Sequence, residues 1–173
     1  MRSSLLSAIF LVGLATAMPV VAQSTQSDRE RFISITMKLE NAPLDPKLEA
    51  DRRWAMNWLI KAPDVSVNVC LAPLGGVSQE SYSHGLEVIA QYTFAMGQVV
   101  IQHPDVANRP EDQQLAGVEG ALNAYQSILR SEPAGRSPIL DKLVQLRARG
   151  ELREFVRRAL PECSGEAEAI STP

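Results

Sequence analysis

The chain has 173 residues, a formal net charge of −3 at pH 7 and 45% hydrophobic residues, which corresponds to one domain with enough apolar side chains for a core. Its 17 basic residues are outnumbered by 20 acidic ones, and a mildly acidic chain is a poor candidate for binding nucleic acid, whose phosphates require Lys and Arg contacts. The same argument disfavours binding to an anionic membrane surface.

The amino-terminal segment has the pattern of a cleavable secretory signal peptide. Arg2 precedes an apolar run over residues 5–14, and this run is too short to span a bilayer because a spanning helix needs about 20 residues. We expect cleavage between Ala22 and Gln23, with residues 15–17 offering a second candidate site and an uncleaved anchor as the alternative. The sequence therefore predicts an exported protein, periplasmic or secreted.

The first half of the mature chain shows helical periodicity twice and then an alternating pattern. Helices are predicted over residues 28–41 and 47–61, each ended by prolines. In residues 65–70 valine alternates with polar residues, which is typical of an extended strand. No partner strand is evident in the sequence, so we expect a short extended segment packed on helices.

The second half is helical throughout. Apolar residues recur at spacings of three and four, and prolines, glycines and capping serines mark the ends. Small residues on the helix that starts at residue 110 would let another helix approach closely. The predicted helices cover residues 78–102, 110–131, 138–149 and 151–160, the last ending before Pro161.

Two cysteines, Cys70 and Cys163, are present, and export would place them in an oxidising compartment. A disulfide between them is expected, and closing so long a loop is worth roughly 4–5 kcal/mol in the chain-entropy model. A zinc site is disfavoured because neither cysteine has a second cysteine or a histidine at ligand spacing.

The predicted architecture is all-α, a compact bundle of about six helices with one short extended segment and one disulfide. The chain divides into a signal peptide over residues 1–22, a helical domain over residues 23–163 and a disordered tail over residues 164–173.

The strongest candidates for catalysis are Glu80, His84 and Glu87, which are spaced four and three residues apart and so share one face of a predicted helix. Such a face could serve acid–base chemistry or hold a metal. The alternative is a solvated polar face that includes Gln91 and lies opposite a core stripe with Leu86 and Ile89. The sequence has no His-Glu-x-x-His pattern, nucleophile elbow or phosphate-binding loop. We therefore expect neither a resident metal nor a cofactor.

Three aromatic residues are candidates for ligand binding. Trp54 and Trp58 share a helix face, and Tyr125 lies on the helix with small residues. Core packing is the alternative for all three. Five arginines between residues 147 and 158 alternate with glutamates, which indicates a salt-bridged solvated face, with a docking patch for an acidic partner as the alternative.

These features favour a non-enzymatic binding or interaction module, such as an inhibitor, an immunity-type protein, a chaperone or an accessory subunit. Its expected partner is a protein or peptide of the cell envelope, and no membrane span is expected after signal cleavage. One alternative is a small exported hydrolase using the face of Glu80, His84 and Glu87. Another is a structural envelope protein that associates with itself, most easily through the small-residue face of the helix that contains Leu115 and Leu129.

Overall fold

The structure is a computed structural model that describes residues 23–77 and 82–170, with side chains up to residue 163. Within these ranges the chain forms six α-helices and no strand, which confirms the all-α class. The predicted signal peptide lies outside the described residues, so the division into leader, domain and tail stays a prediction. The helices are α1 Gln26–Asn41, α2 Glu49–Lys61, α3 Gly85–Gln102, α4 Pro110–Ser131, α5 Pro138–Ala148 and α6 Leu152–Ile170.

α3 and α4 form the centre of the fold and lie unusually close together. A β-carbon at Gly120 would lie 2.4 Å from the β-carbon of Ala95, and one at Gly117 would lie 2.7 Å from the ring of Tyr92. Only glycine leaves room for this approach. The small residues of α4 therefore do admit another helix, as predicted, and that helix is α3 of the same chain.

Two groups of buried side chains surround this central pair. The larger one joins α3 and α4 to α5 and α6, and it includes Tyr92, Leu122, Tyr125, Leu143 and Val156. The smaller one joins α1 and α2 to α3, and it includes Phe32, Ile35, Leu39, Leu59 and Phe94. α3 contributes side chains to both groups. It therefore connects α1 and α2 on one side with α4, α5 and α6 on the other.

The third helix begins later than its sequence pattern predicts. α3 starts at Gly85 rather than near residue 78, because Tyr82 is held to the connection between α4 and α5. The Tyr82 hydroxyl donates a hydrogen bond of 3.1 Å to the carbonyl of Gly135, and its ring packs edge-on against Tyr125. Residues 82–84 therefore form a turn.

The last helix also departs from its predicted end. α6 contains Pro161 and continues to Ile170, whereas the sequence predicted an end before this proline. A proline inside a helix removes one backbone hydrogen bond. The disulfide at Cys163 follows within one turn and fixes this part of the helix to Cys70.

The predicted disulfide is confirmed. Cys70 and Cys163 are bonded with their α-carbons 5.6 Å apart, a separation normal for a disulfide. The bond ties the end of the extended segment 65–70 to α6. No free cysteine occurs in the described part of the chain.

Candidate functional site

The extended segment 65–70 connects α2 to the short helix Ala72–Leu74 and runs without turn or bend from Val65 to its last residue. Its beginning is fixed by Asp64, whose carboxylate accepts hydrogen bonds of 3.1 and 3.2 Å from the backbone N–H of Ser24. The guanidinium of Arg29 pairs with the same carboxylate. The start of the segment is therefore fastened to the residues that lead into α1.

The middle and the end of the segment are fastened to the central helices. The N–H of Asn68 donates to the side-chain oxygen of Gln113 over 3.2 Å, and its carbonyl accepts from the side-chain nitrogen of Gln114 over 2.6 Å. The carbonyl of Cys70 accepts from the hydroxyl of Tyr92. The segment thus has an inner edge, formed by the backbone groups of Asn68 and Cys70, that faces α3 and α4.

A groove of about 590 Å³ lies beside this segment, and we call it the α2 groove. It contains two exposed apolar side chains, Ile60 with 74% and Val69 with 47% of their surface accessible. Its lining consists of Met56, Leu59, Ile60, Ala62, Pro63, Val65, Ser66, Val67, Val69 and Thr93.

A second groove of about 680 Å³ follows the outer side of α1, and we call it the α1 groove. Ile33, Met37 and Leu48 are apolar residues of its lining, and 54% of the Met37 surface is accessible. Glu30 and Lys38 are charged residues of the lining, and both are exposed. The complete lining is Glu30, Ile33, Ser34, Met37, Lys38, Asn41, Ala42 and Leu48.

Sequence reasoning did not select the α1 groove as a site. The only sequence signal is that Ile33 and Met37, four residues apart, form a second apolar stripe beside the buried stripe of Phe32 and Ile35. Whether a second stripe is covered depends on where the neighbouring helix lies, and periodicity does not contain that information.

The predicted catalytic residues are only partly brought together. Glu80 lies outside the described residues. The ring nitrogen Nε2 of His84 lies 3.1 Å from Oε2 of Glu132 at the end of α4, and the imidazole packs edge-on against Tyr82. Glu87 is half-buried, and its Oε2 is buried without a hydrogen-bond partner among the described residues.

The predicted polar stripe of this region differs from the observed one. The sequence pattern placed Leu86 inward and Gln91 on the solvated face, but 82% of the Leu86 surface is accessible and Gln91 is fully buried. The Gln91 side-chain nitrogen donates to the carbonyl of Thr36 on α1 over 3.2 Å. Because α1 packs against this side of α3, a glutamine can be buried there with a partner for its amide nitrogen.

The two tryptophans join α2 to α1. Their rings stack with centroids 6.0 Å apart, and Trp58 also lies against Phe32 at 4.8 Å. The guanidinium of Arg31 covers Trp54 at 3.9 Å from the ring centre. Both tryptophans are half-buried, and neither lines the α1 groove or the α2 groove.

Tyr125 is fully buried in the larger core group. Its hydroxyl donates to Oδ1 of Asp141 over 2.8 Å and accepts from the N–H of Ser137 over 3.0 Å. Burial raises the pKa of the hydroxyl, so it stays protonated and fixes the start of α5 to α4. In this conformation Tyr125 offers no surface to a ligand.

The arginine-rich surface near the C-terminus is ion-paired. Arg153 and Arg157 of α6 both contact Glu111 at the start of α4, at 2.9 and 3.0 Å. The remaining three pairs are Arg147 with Glu119, Arg149 with Glu151, and Arg158 with Glu154. Each arginine has an acidic partner, which agrees with a salt-bridged face.

Among the residues that the structure describes, no three His, Cys, Asp or Glu side chains are grouped so that they could hold a metal ion. No helix in the described ranges has the length and apolar character needed to cross a membrane. No protein family model, curated protein or solved structure matches the chain.

Proposed function

We propose that the protein is an exported binding module that holds an amphipathic helix of a protein partner in the α1 groove. The observation that carries this proposal is the apolar part of the groove lining, where Met37 is more than half exposed on a helix whose opposite face is buried. A helix that places an apolar stripe into such a groove removes both apolar surfaces from water. The flexible side chain of methionine adapts to partner side chains of different shape.

Two charged residues of the groove lining favour a partner helix that binds in one direction only. Glu30 and Lys38 are eight residues apart on α1, or about 12 Å along the helix axis. They place a negative charge near one end of the groove and a positive charge near the other. A matching helix carries a basic residue that meets Glu30 and an acidic residue that meets Lys38, so opposite charges fix its direction.

The proposed location rests on the amino-terminal sequence and on the disulfide. The leader has the length and polarity of a signal peptide, with cleavage between Ala22 and Gln23, and the mature chain holds a disulfide. Disulfides persist in oxidising compartments, which supports a periplasmic or secreted protein.

The test uses a photo-reactive amino acid at Met37, with the same group at Arg53, an exposed position of α2 outside the groove, as the matched control. We expect the Met37 probe to crosslink one envelope protein through an amphipathic segment. A synthetic peptide of that segment should bind the mature protein in calorimetry, and M37E should weaken binding at least tenfold. Equal crosslinking from both positions, or a peptide affinity that M37E leaves unchanged, would contradict the proposal.

The charge assignment has its own test. The double variant E30K/K38E exchanges the charges at the two ends of the groove. It should bind the natural peptide more weakly and recover affinity for a peptide in which the two corresponding charges are exchanged. Recovery would show that the charges set the direction of the partner, which a general loss of folding could not produce.

A hydrolase using Glu80, His84 and Glu87 is the second candidate, and the unpaired buried oxygen of Glu87 favours it. If it is correct, H84A and E87Q each abolish hydrolysis of a substrate found by activity screening, while M37E leaves this activity unchanged.

A further inference from the structure

We infer that a second copy of this chain pairs with the outer edge of residues 67–69 and forms a two-stranded antiparallel ladder across a two-fold axis at Asn68. This surface is separate from the α1 groove, so the inference does not rest on the proposed binding function. It gives self-association a definite location.

The first step is the direction of the backbone groups. In an extended chain, the N–H and carbonyl of one residue point to the same edge, and those of the next residue point to the opposite edge. The backbone groups of Asn68 and the carbonyl of Cys70 point inward, to the glutamines of α4 and to Tyr92. Those of Val67 and Val69 therefore point outward, and they have no hydrogen-bond partner among the described residues.

The second step is the availability of this edge. Val69 and Asn68 are exposed and Val67 is half-buried. Exposed, unpaired strand edges are templates for pairing with another chain. The segment is also held in place by the Asp64 contacts at one end and the disulfide at the other. Its shape is thus preformed, and little conformational entropy is lost on pairing.

The third step is the register. If Val67 were on the axis, Val65 would have to pair with Val69 of the second copy, but Val65 is only 4% exposed. With Asn68 on the axis, Val67 pairs with Val69 of the second copy and Val69 with its Val67. These two pairs exchange four hydrogen bonds and use only the outward groups. The Val-Asn-Val pattern is the same in both chain directions, so it is complementary to itself.

Apolar contact supports the same arrangement. Ile60 is one of the most exposed apolar side chains of the described residues, and it lines the α2 groove together with Val67 and Val69. Two copies related by the axis would bring these side chains together and remove them from water. A two-fold pair also closes on itself and leaves no free edge for further growth.

The register predicts a crosslink that can be measured. In this register the two Asn68 residues face each other and exchange no backbone hydrogen bonds. The α-carbons of such a pair are about 4.5 Å apart, within the range that a disulfide spans. In the mature protein with its native disulfide, N68C should form a covalent dimer under mild oxidation, detected by intact mass. Peptide mapping should show that Cys70 and Cys163 remain bonded to each other.

V67C is the matched control. In this register, Val67 of one copy lies diagonally from Val67 of the other, at about 7–8 Å, too far for a disulfide. Dimers from N68C without dimers from V67C support the inference. Equal yields from both variants, a higher yield from V67C or no crosslink from either would overturn it.

Sedimentation of the unmodified mature protein completes the test. Between about 1 µM and about 1 mM, the range of weak to moderate association, we expect a reversible change from monomer to dimer. V67P lacks an outward N–H and should stay monomeric while its circular dichroism shows the native helical content. M37E should dimerise like the wild type. A monomer throughout this range, or a V67P dimer of unchanged affinity, would overturn the inference.

Discussion

The hydroxyl of Tyr92 donates a hydrogen bond to the carbonyl of Cys70, the same residue whose sulfur is bonded to Cys163. Cys70 is therefore attached to α3 through its backbone and to α6 through its side chain. Tyr92 is fully buried, and burial raises the pKa of its hydroxyl, which keeps the proton needed for donation. The end of the extended segment thus has one covalent and one non-covalent attachment.

Reduction of the disulfide should lower the melting temperature but preserve most of the helical signal. The bond crosslinks residues 93 positions apart, and losing such a constraint costs roughly 2–5 kcal/mol. The helices keep their buried contacts, and Tyr92 still holds the Cys70 carbonyl. Circular dichroism during thermal unfolding, with and without reductant, measures this, and C70S/C163S is the chemical control. Loss of all helical signal on mild reduction at room temperature would contradict it.

Y92F should destabilise the protein without changing its disulfide. The variant removes the hydroxyl that contacts both the buried carbonyl of Cys70 and the side-chain oxygen of Gln114, and leaving a buried acceptor unpaired costs about 1–3 kcal/mol. Denaturant unfolding of the oxidised protein measures the cost. Y82F is the control, because the Tyr82 hydroxyl bonds to Gly135 at a half-buried position where water can replace it. Equal losses of unfolding free energy for the two variants would show that burial does not make the contact of Tyr92 with Cys70 more stabilising than that of Tyr82 with Gly135.

G120A should be strongly destabilising, because its β-carbon would lie 2.4 Å from that of Ala95 and would push α3 away from α4. Overpacking of this kind costs about 1–3 kcal/mol or more, and no flexible side chain can move aside. G85A is the matched control, since a β-carbon there meets no atom within 4 Å. Its effect should be near zero or slightly stabilising. The denaturant midpoints of the two variants measure this difference, and equal midpoints would contradict the prediction.

The sequence predicts which residues lie on one helix face far better than it predicts what covers that face. On α1, Phe32, Ile35 and Leu39 share one stripe and are buried, whereas Ile33 and Met37, on the neighbouring stripe, line an open groove. The difference arises from where the neighbouring helices cross α1. That placement depends on contacts between residues far apart in the sequence.

Helix ends show the same dependence on distant contacts. Pro161 was expected to end the last helix, yet α6 continues through it beside the disulfide. The pattern from residue 78 suggested a longer α3, yet Tyr82 is held by Gly135, more than fifty residues away. Local propensity gives the correct element in both cases, and tertiary contacts set where each element ends.

Glu40 should make the protein more stable as the pH falls toward the usual pKa of glutamate. Burial raises its pKa above 4.5, and hydrogen bonds from Asn123 and Gln91 and the charge of Arg147 offset only part of this. The folded protein therefore binds the proton more tightly than the unfolded chain, and stability is lost as the pH rises through the folded pKa.

E40Q tests this assignment, because the amide has the shape of the protonated acid and can still accept from Asn123. We expect a higher melting temperature than the wild type at pH 7 and no difference at pH values well below 4.5. E119Q is the control, because Glu119 pairs with the same Arg147 at a more exposed position. A lower melting temperature for E40Q at pH 7 would show that attraction to Arg147 outweighs the cost of burial.

Glu111 should have the opposite pH dependence. Hydrogen bonds from Arg157 and Arg153 lower its pKa to about 2, so its contribution is complete above 4.5 and is lost as the pH falls toward about 2. E111Q should therefore lower the melting temperature at neutral pH, and this effect should shrink as the pH falls through about 2. The group is exposed, so salt should reduce the difference between variant and wild type. E30Q is the control, because Glu30 bonds to the neutral side chain of Gln26. If the effect of E111Q on the melting temperature is the same at low and high salt, packing and not charge attraction holds α6 to α4 at this position.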